Sequence, residues 1–236
     1  MVNAGTVIIG AGVVGASVAY HLTERGATDV LILERETVQG LGSTGAATGG
    51  VRAQFETEIN ILMSVYSLSF FRRWHHECGY QPRGYLFFAT TDDQLEYLRR
   101  NVETQRSLGV RDIGLVNRER IRELVPGMNC DDILGGSFGA NDGFIDPLAV
   151  MEGFTKGALR SGAQIRFGTQ VTKIIVNDNK IIGVDFCLGV AIRAEQACAD
   201  ELQPEVAVLV LRALRQHLFE ALDVDRAPMN QRPLAG

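Results

Sequence analysis

Residues Thr6–Glu34, TVIIGAGVVGASVAYHLTERGATDVLILE, constrain this chain more than any other stretch. An apolar run, Thr6–Ile9, leads into Gly10-x-Gly12-x-x-Gly15; a helical pattern follows, and a second apolar run ends on the acid Glu34. This is the order of a β-α-β unit that binds a dinucleotide, and each residue type in it has a physical task. Gly10 permits the tight turn out of the strand. Gly12 lets backbone approach a pyrophosphate with no Cβ in the way, and Gly15 lets the helix close on the sheet. The helix N-terminus offers N–H groups and a partial positive charge to the phosphates. Val14, Val18 and Leu22 keep i, i+4, i+8 spacing and predict the buried face of that helix, which Gly26 is placed to end. Glu34 is placed to accept hydrogen bonds from a ribose diol. Its charge would repel a 2′-phosphate, which disfavours NADP and leaves NAD or FAD.

Composition narrows the class further. An apolar fraction of 46% and a charged fraction of 22% are those of a soluble globular protein, and 236 residues can bury one good core or two small ones sharing a sheet. A net charge of −5 without a long basic run argues against nucleic acid or an anionic membrane surface as partner. Cys78, Cys130, Cys187 and Cys198 show neither CxxC nor Cys/His ligand spacing, so no metal site is expected. They read as reduced, mostly buried thiols in a cytoplasmic compartment. The first strand begins by Thr6 and leaves no room for a signal-peptide n-region; Val7–Tyr20 is apolar but glycine-broken and shorter than a span of ~20 residues. Neither secretion nor a membrane span is expected.

A second glycine-rich loop follows the acid: Gly40–Gly50, GLGSTGAATGG. Glycines and small hydroxylated residues at this density let backbone N–H groups reach a ligand closely. Beyond it Glu58–Trp74 is amphipathic, with Ile59, Leu62, Met63, Tyr66, Phe70 and Trp74 on one stripe, so the loop is held between a cofactor-binding strand and a buried helix. Gly84–Thr90 reads as a strand. Thr91-x-x-Gln94 forms a capping box for a helix to Gly109, Asn117 caps a short helix that stops before Pro126, and Asp146-Pro147 opens a helix that ends at Gly162. Strands are expected at Gln164–Phe167, Gln170–Val176, Ile181–Phe186 and Ala191–Gln196, with turns at Asn177–Asn179 and Leu188–Gly189. A βα pair near Asp146–Phe167 should rejoin the first sheet. Glu205–Leu222 has helical spacing, although Val206–Leu211 alone would pass for a buried strand, and Arg226–Gly236 reads as a loose tail.

Taken with GSTGAATGGVRAQF, GYLFFAT and DGFIDPLAVMEGFTKGALRSGAQIRFGTQVTKI, the first motif makes the chain resemble the D-amino acid oxidase-type FAD-dependent oxidoreductases. The resemblance is to the branch of glycine oxidase, the sarcosine oxidase β subunit and dye-linked proline dehydrogenase, and runs from about Thr6 to Gln196. The second loop and the Asp-Gly-x-x-Asp-Pro segment are its most particular elements. The resemblance implies an α/β fold, with a Rossmann-like FAD-binding domain around a mixed sheet and a partial α+β substrate domain. The expected division is 4–79 with 142–200 for FAD, and 80–141 with 201–236 for the cap.

It further implies an enzyme that oxidises the C–N bond of an amino acid or secondary amine by hydride transfer to flavin. Gly10, Gly12, Val13, Val14 and Gly15 would cradle the FAD pyrophosphate, and Glu34 with Arg35 would hold the adenosine ribose. Gly42, Ser43 and Thr44 would continue the phosphate contacts. Ala47, Thr48, Gly49 and Gly50 would line the flavin side, and the backbone of Val171 would meet the adenine. Such chemistry needs a cation for the substrate carboxylate rather than a catalytic triad. Arg52 is the candidate anchor, with Arg83 and Tyr85 behind it, whereas His75 and His76 end a helix, where histidine complements the dipole. The FAD is expected to be non-covalent, because Gly42–Gly50 holds no histidine.

After Ala194-Glu-Gln196 the chain departs from the family. Ala197–Glu201 carries charge where a buried strand and an Ala-Ala-Gly turn are expected, Leu211–Phe219 only faintly resembles the strand after it, and the family's C-terminal half is not in the sequence. That supports an alternative, a catalytically inert relative that binds FAD or ADP or serves as a partner subunit, with a homo-oligomer also open. An NAD-dependent dehydrogenase is a third reading, weakened by the second glycine loop.

Overall fold

The computed structural model describes residues 4–188 and the backbone of Asp200–Glu201. The elements are β1 (Thr6–Ile9), α1 (Val13–Glu24), β2 (Val30–Leu33), β3 (Gly50–Val51), α2 (Glu58–Arg73), α3 (His75–Cys78), β4 (Tyr85–Ala89), α4 (Asp92–Ser107), β5 (Ile113–Val116), α5 (Arg118–Leu124), β6 (Gly135–Gly139), β7 (Gly143–Phe144), α6 (Pro147–Arg160), β8 (Gln164–Arg166), β9 (Thr169–Asn177), β10 (Lys180–Leu188) and β11 (Asp200–Glu201). The chain divides into two compact units, one of residues up to Ala46 and from Met151 onward, the other Ala47–Val150. No described helix is long and apolar enough to cross a membrane.

In the first unit β1, β2 and β8 form a parallel sheet in that order, with Val7 opposite Leu31 and Ile32 opposite Ile165. The βα pair predicted near Asp146–Phe167 does rejoin the first sheet. Both faces are covered, so the strands read as unbroken apolar runs. Ile8, Val30 and Ile32 pack toward Ala19 of α1 and Ala158 of α6, while Val7, Leu31 and Leu33 pack on Val184, Phe186 and Val171 of the β9–β10 hairpin. That hairpin is antiparallel and β11 joins its second strand. Asp178 and Asn179 turn it with φ of 47° and 60°, the paired left-handed conformation that matches strand twist.

Helix α1 approaches the sheet very closely. A Cβ built on Gly15 would lie 2.0 Å from the Gly10 carbonyl oxygen. At that separation alanines fill the interface, and the buried face is Ala16, Ala19 and Thr23. The expected Val14, Val18 and Leu22 stripe is corrected accordingly: Val18 and Leu22 flank the core, and Val14 is 70% exposed. The helix ends as predicted at Gly26, where the Ala27 N–H donates to Leu22 O and the Gly26 N–H to Thr23 O, a complete Schellman motif.

In the second unit β4, β6 and β5 form an antiparallel sheet in that order, and β3 pairs with β7. Thr91 caps α4 by accepting from the Gln94 N–H, but the Gln94 side chain reaches back to the Thr90 N–H rather than to Thr91, one residue beyond an ordinary capping box. Asn117 caps α5 by accepting from the Arg120 N–H. Asp146 Oδ1 takes the Leu148 and Ala149 N–H groups at the start of α6.

Helix α2 departs from expectation. Its buried residues are Ile61 and Leu68, whereas Ile59, Met63 and Tyr66 of the predicted stripe are exposed. The segment EINILMSVYSLSFF is apolar on more than one face, so spacing alone could not say which face finds a partner. The expected strand Ala191–Gln196, the Leu188–Gly189 turn beyond Leu188, and everything read from Glu205 to Gly236 lie outside the described residues. Cys78, Cys130 and Cys187 are free and buried; Cys198 also lies outside.

Candidate nucleotide site and a caged arginine

The end of β1 turns sharply at Gly10, whose φ of +94° only glycine adopts at ease, and the Gly10 N–H donates to Leu33 O. Gly12 then stands at the N-cap of α1 with no side chain to cap it. Thr44 does so from the second loop: its Oγ1 accepts the Val13 N–H at 3.0 Å. The loop is folded back on itself, with a Cβ at Gly45 only 1.9 Å from Gly40 O and the Ala46 N–H donating to Gly42 O. It is therefore not a slack linker.

Glu34 closes the turn from the other side. Its Oε2 accepts the Ala11 N–H at 2.7 Å and its Oε1 the Glu36 N–H at 3.0 Å, so the carboxylate plane is fixed while each oxygen keeps a lone pair for another donor. Gln39, which the motif reading passed over, holds the next peptide unit, Ala11–Gly12, by its carbonyl. Its Nε2 donates to Ala11 O at 2.7 Å and to Thr155 Oγ1 of α6 at 2.8 Å. Arg35 is exposed and pairs with Glu36, a contact worth about 0–1 kcal/mol in water.

These residues border a cavity of about 480 Å³. Gly10, Gly12, Glu34, Arg35, Gly42, Ser43, Thr44 and Val171 all line it. Val38, Leu41, Thr169 and Gln170 join them; none of these four stands out by residue type, since β9 reaches the cavity only through the tertiary fold. A Cβ at Gly10 or Gly42 would meet no protein atom within 4 Å, and one at Gly12 would come 3.2 Å from Thr44 Oγ1. The walls are backbone and small polar groups around open space at a helix N-terminus, with a fixed carboxylate nearby. That donor set fits the ADP half of FAD. Val13, Val14 and Gly15 do not line the cavity; they form the first helical turn, and Gly15 serves the close packing.

Ala47, Thr48, Gly49 and Gly50 belong to the second unit. Gly49 has φ +79°, and its carbonyl accepts the Ile145 N–H; Gly50 pairs with Phe144. Two residues on, the Arg52 guanidinium sits over three rings, 4.8 Å from Phe55, 5.4 Å from Tyr85 and 5.6 Å from Phe87. Its buried Nε has no hydrogen-bond partner among the described residues. Tyr85 thus stands beside Arg52 as expected, while Arg83 is turned to the Gln81 side chain.

Beside Arg52 lies a buried polar network that the sequence did not announce. Asp142, 2% exposed, accepts the Ala53 N–H through Oδ1 and the Gln54 Nε2 through Oδ2. Gln54 also donates to Tyr85 O and accepts from Ser137 Oγ. Burial raises the Asp142 carboxyl above the usual carboxylate range, opposed by the Ala53 N–H, the Gln54 amide and the Arg52 charge. The only sequence signal was that Asp142 opens the Asp-Gly-x-x-Asp-Pro segment. Among the described residues no group of His, Cys, Asp and Glu side chains is arranged to hold a metal.

The chain is similar to known proteins. The chain is 30% identical over 198 residues to FAD-dependent oxidoreductase domain-containing protein 1 of Xenopus laevis, covering 78% of this chain and 39% of that protein. It is 33% identical over 178 residues to the mitochondrial dimethylglycine dehydrogenase of Rattus norvegicus, covering 73% and 20%. Among solved structures, L-proline dehydrogenase from P. horikoshii matches with a TM-score of 0.76 at 26% identity, over 96% of this chain and 57% of that one. The chain therefore spans two fifths or less of these curated relatives. Residues 6–221 match the DAO family, FAD dependent oxidoreductase, and the chain belongs to that family.

Proposed function

We propose that this chain carries the FAD site of an oxidoreductase that oxidises the C–N bond of an amino acid or secondary amine. The observation that supports it best is the cavity bordered by Gly10, Gly12, Glu34, Gly42–Thr44 and Val171, the residues expected to meet phosphate, ribose and adenine, around one space. FAD, when bound, supplies the hydride acceptor; the protein contributes binding, orientation and exclusion of water. In this reading Gly12 and the Thr44 hydroxyl face the pyrophosphate, and Glu34 accepts from the ribose. The FAD is held without a covalent link.

Arg52 is proposed to anchor the substrate carboxylate. Three rings hold its guanidinium in place, so little side-chain entropy is left to lose when an anion binds. The relatives named for dimethylglycine and L-proline favour a substrate that joins an N-alkylated amine to a carboxylate. Divided by ligand rather than by compactness, the FAD domain would be 4–79 with 142–200, and the partial substrate domain 80–141 with 201–236.

An absorption spectrum of the purified chain tests the cofactor, and anaerobic mixing with glycine, sarcosine, proline and D-amino acids tests the substrate. Bleaching of bound flavin by one of them is the expected result. Bound flavin that none of them bleaches would favour the inert nucleotide-binding relative. No flavin at all would overturn the reading.

A further inference from the structure

Three side chains hold the phosphate turn from behind. Two of them act on one residue, on the peptide units either side of its Cα: Ala11 is fully buried, with its N–H (Gly10–Ala11 peptide) held by Glu34 Oε2 and its carbonyl (Ala11–Gly12 peptide) by Gln39 Nε2, each at 2.7 Å. The orientation of the Gln39 amide is fixed by its second partner. Thr155 Oγ1 donates its own proton to Met151 O at 3.0 Å and so can only accept from Gln39. Gln39 therefore points both amide protons away from the ligand, one at the turn and one at α6. Its neighbours Val38 and Gly40 border the cavity and it does not.

We infer that Gln39 is a positioning residue for the nucleotide site, locking the Ala11–Gly12 peptide so that the phosphate turn and the ribose carboxylate form one preorganised unit. The inference rests on the reading of this cavity as the FAD site. Its physical basis is that Glu34 has two duties. It is placed for the ribose, yet Oε2 is also bound to the turn at the Ala11 N–H, so a shift of Ala11 displaces the Gly12 N–H and the ribose acceptor together. Gln39 opposes that shift by holding the carbonyl of the Ala11–Gly12 peptide and refers the turn to α6 through Thr155. A loop free to rotate would have to be ordered at each binding event, which lowers affinity even though the nucleotide keeps the same hydrogen-bond partners.

The test is binding of ADP and FAD, by calorimetry and flavin fluorescence, to the full chain and to Gln39→Leu, Thr155→Val and the double variant, at temperatures where each apo protein is folded. Gln39→Leu is expected to weaken ADP and FAD by about tenfold, the equivalent of 1.4 kcal/mol. Thr155→Val should weaken them less, and the double variant should be no worse than Gln39→Leu, because both remove one shared interaction. Gln39→Glu supplies a readout that a purely structural role would not move. Its carboxylate keeps the shape but cannot donate to Ala11 O, and protonation restores the donor. The ratio of its Kd to that of the unsubstituted chain should therefore fall as pH is lowered from about 8 to about 6. Glu34, Arg35 and Glu36 around the adjoining cavity are common to both proteins and cancel in that ratio.

Equal affinity of Gln39→Leu and the unsubstituted chain, or a pH-independent ratio, would overturn the inference. Should Gln39→Leu not fold, Thr155→Val and Gln39→Glu decide it by the same criteria. Failure of the unsubstituted chain to bind either nucleotide would instead sink the FAD-site reading, and this inference with it.

Discussion

Gly15→Ala sets two forces against each other, and the structure says which wins. Alanine is the better helix former by about 0.8–1.0 kcal/mol, so propensity alone predicts a more stable protein. In the fold, however, the added Cβ would lie 2.0 Å from Gly10 O, 3.1 Å from Gly10 C and 3.2 Å from Ile8 Cγ2. The first two are backbone atoms and cannot rotate aside, so α1 must back away from β1 by roughly 1 Å, enough to forfeit a quarter to a half of the dispersion well between each pair of packed atoms. The face it would lift carries Ala16, Ala19 and Thr23, flanked by Val18 and Leu22. At about 1–2 kcal/mol for each of these five side chains, a quarter to a half of the total is roughly 1–5 kcal/mol, whose middle, about 3 kcal/mol, outweighs the propensity gain. A fall in Tm of about 5–10 °C is expected, read by thermal melts monitored by circular dichroism. The N-terminus of α1 moves as well, so ADP affinity should drop. Gly157→Ala in α6 is the comparison, because the nearest atoms its Cβ would meet belong to the Tyr20 side chain rather than to backbone, and a smaller effect is expected. If Gly15→Ala melts at or above the temperature of the unsubstituted chain, the close approach of α1 to β1 is wrong.

Three further outcomes are expected. Gly12→Val should abolish ADP and FAD binding with little loss of fold, since its nearest obstacle is the Thr44 hydroxyl at 3.2 Å; unchanged affinity in a titration would refute the site. His21 should titrate below the usual 6.5, because burial and then Arg25 disfavour its charged form, with Glu24 opposing. The stability carried by its neutral ring is then present above 6.5 and lost as pH falls through the folded-state value, and a proton NMR midpoint at or above 6.5 would contradict this. Acid precipitation should leave all flavin in the supernatant, and a yellow pellet would show a covalent link.

The lining of the proposed nucleotide site was legible in the sequence because the expected chemistry there is backbone chemistry. Gly10, Gly12, Glu34 and the Gly42–Thr44 loop act through conformation, absent side chains and one carboxylate at fixed spacing, all of which residue type specifies locally. The caps at Thr91, Asn117 and Asp146 and the glycine stop at Gly26 were legible for the same reason. What faces what was not. Side-chain periodicity named Val14 and the Ile59–Met63–Tyr66 stripe as buried, yet burial depends on what stands opposite, and the close approach of α1 admits Ala16 and Ala19 instead. The roles of Gln39, Gln54 and Asp142 also waited on the fold. Each bonds residues 28 to 116 positions away, and a hydrogen bond across such a separation leaves no periodic trace in the chain. Local conformation was written in the residues; the partners that hold it were decided by tertiary structure, because only there do distant donors and acceptors come within bonding distance.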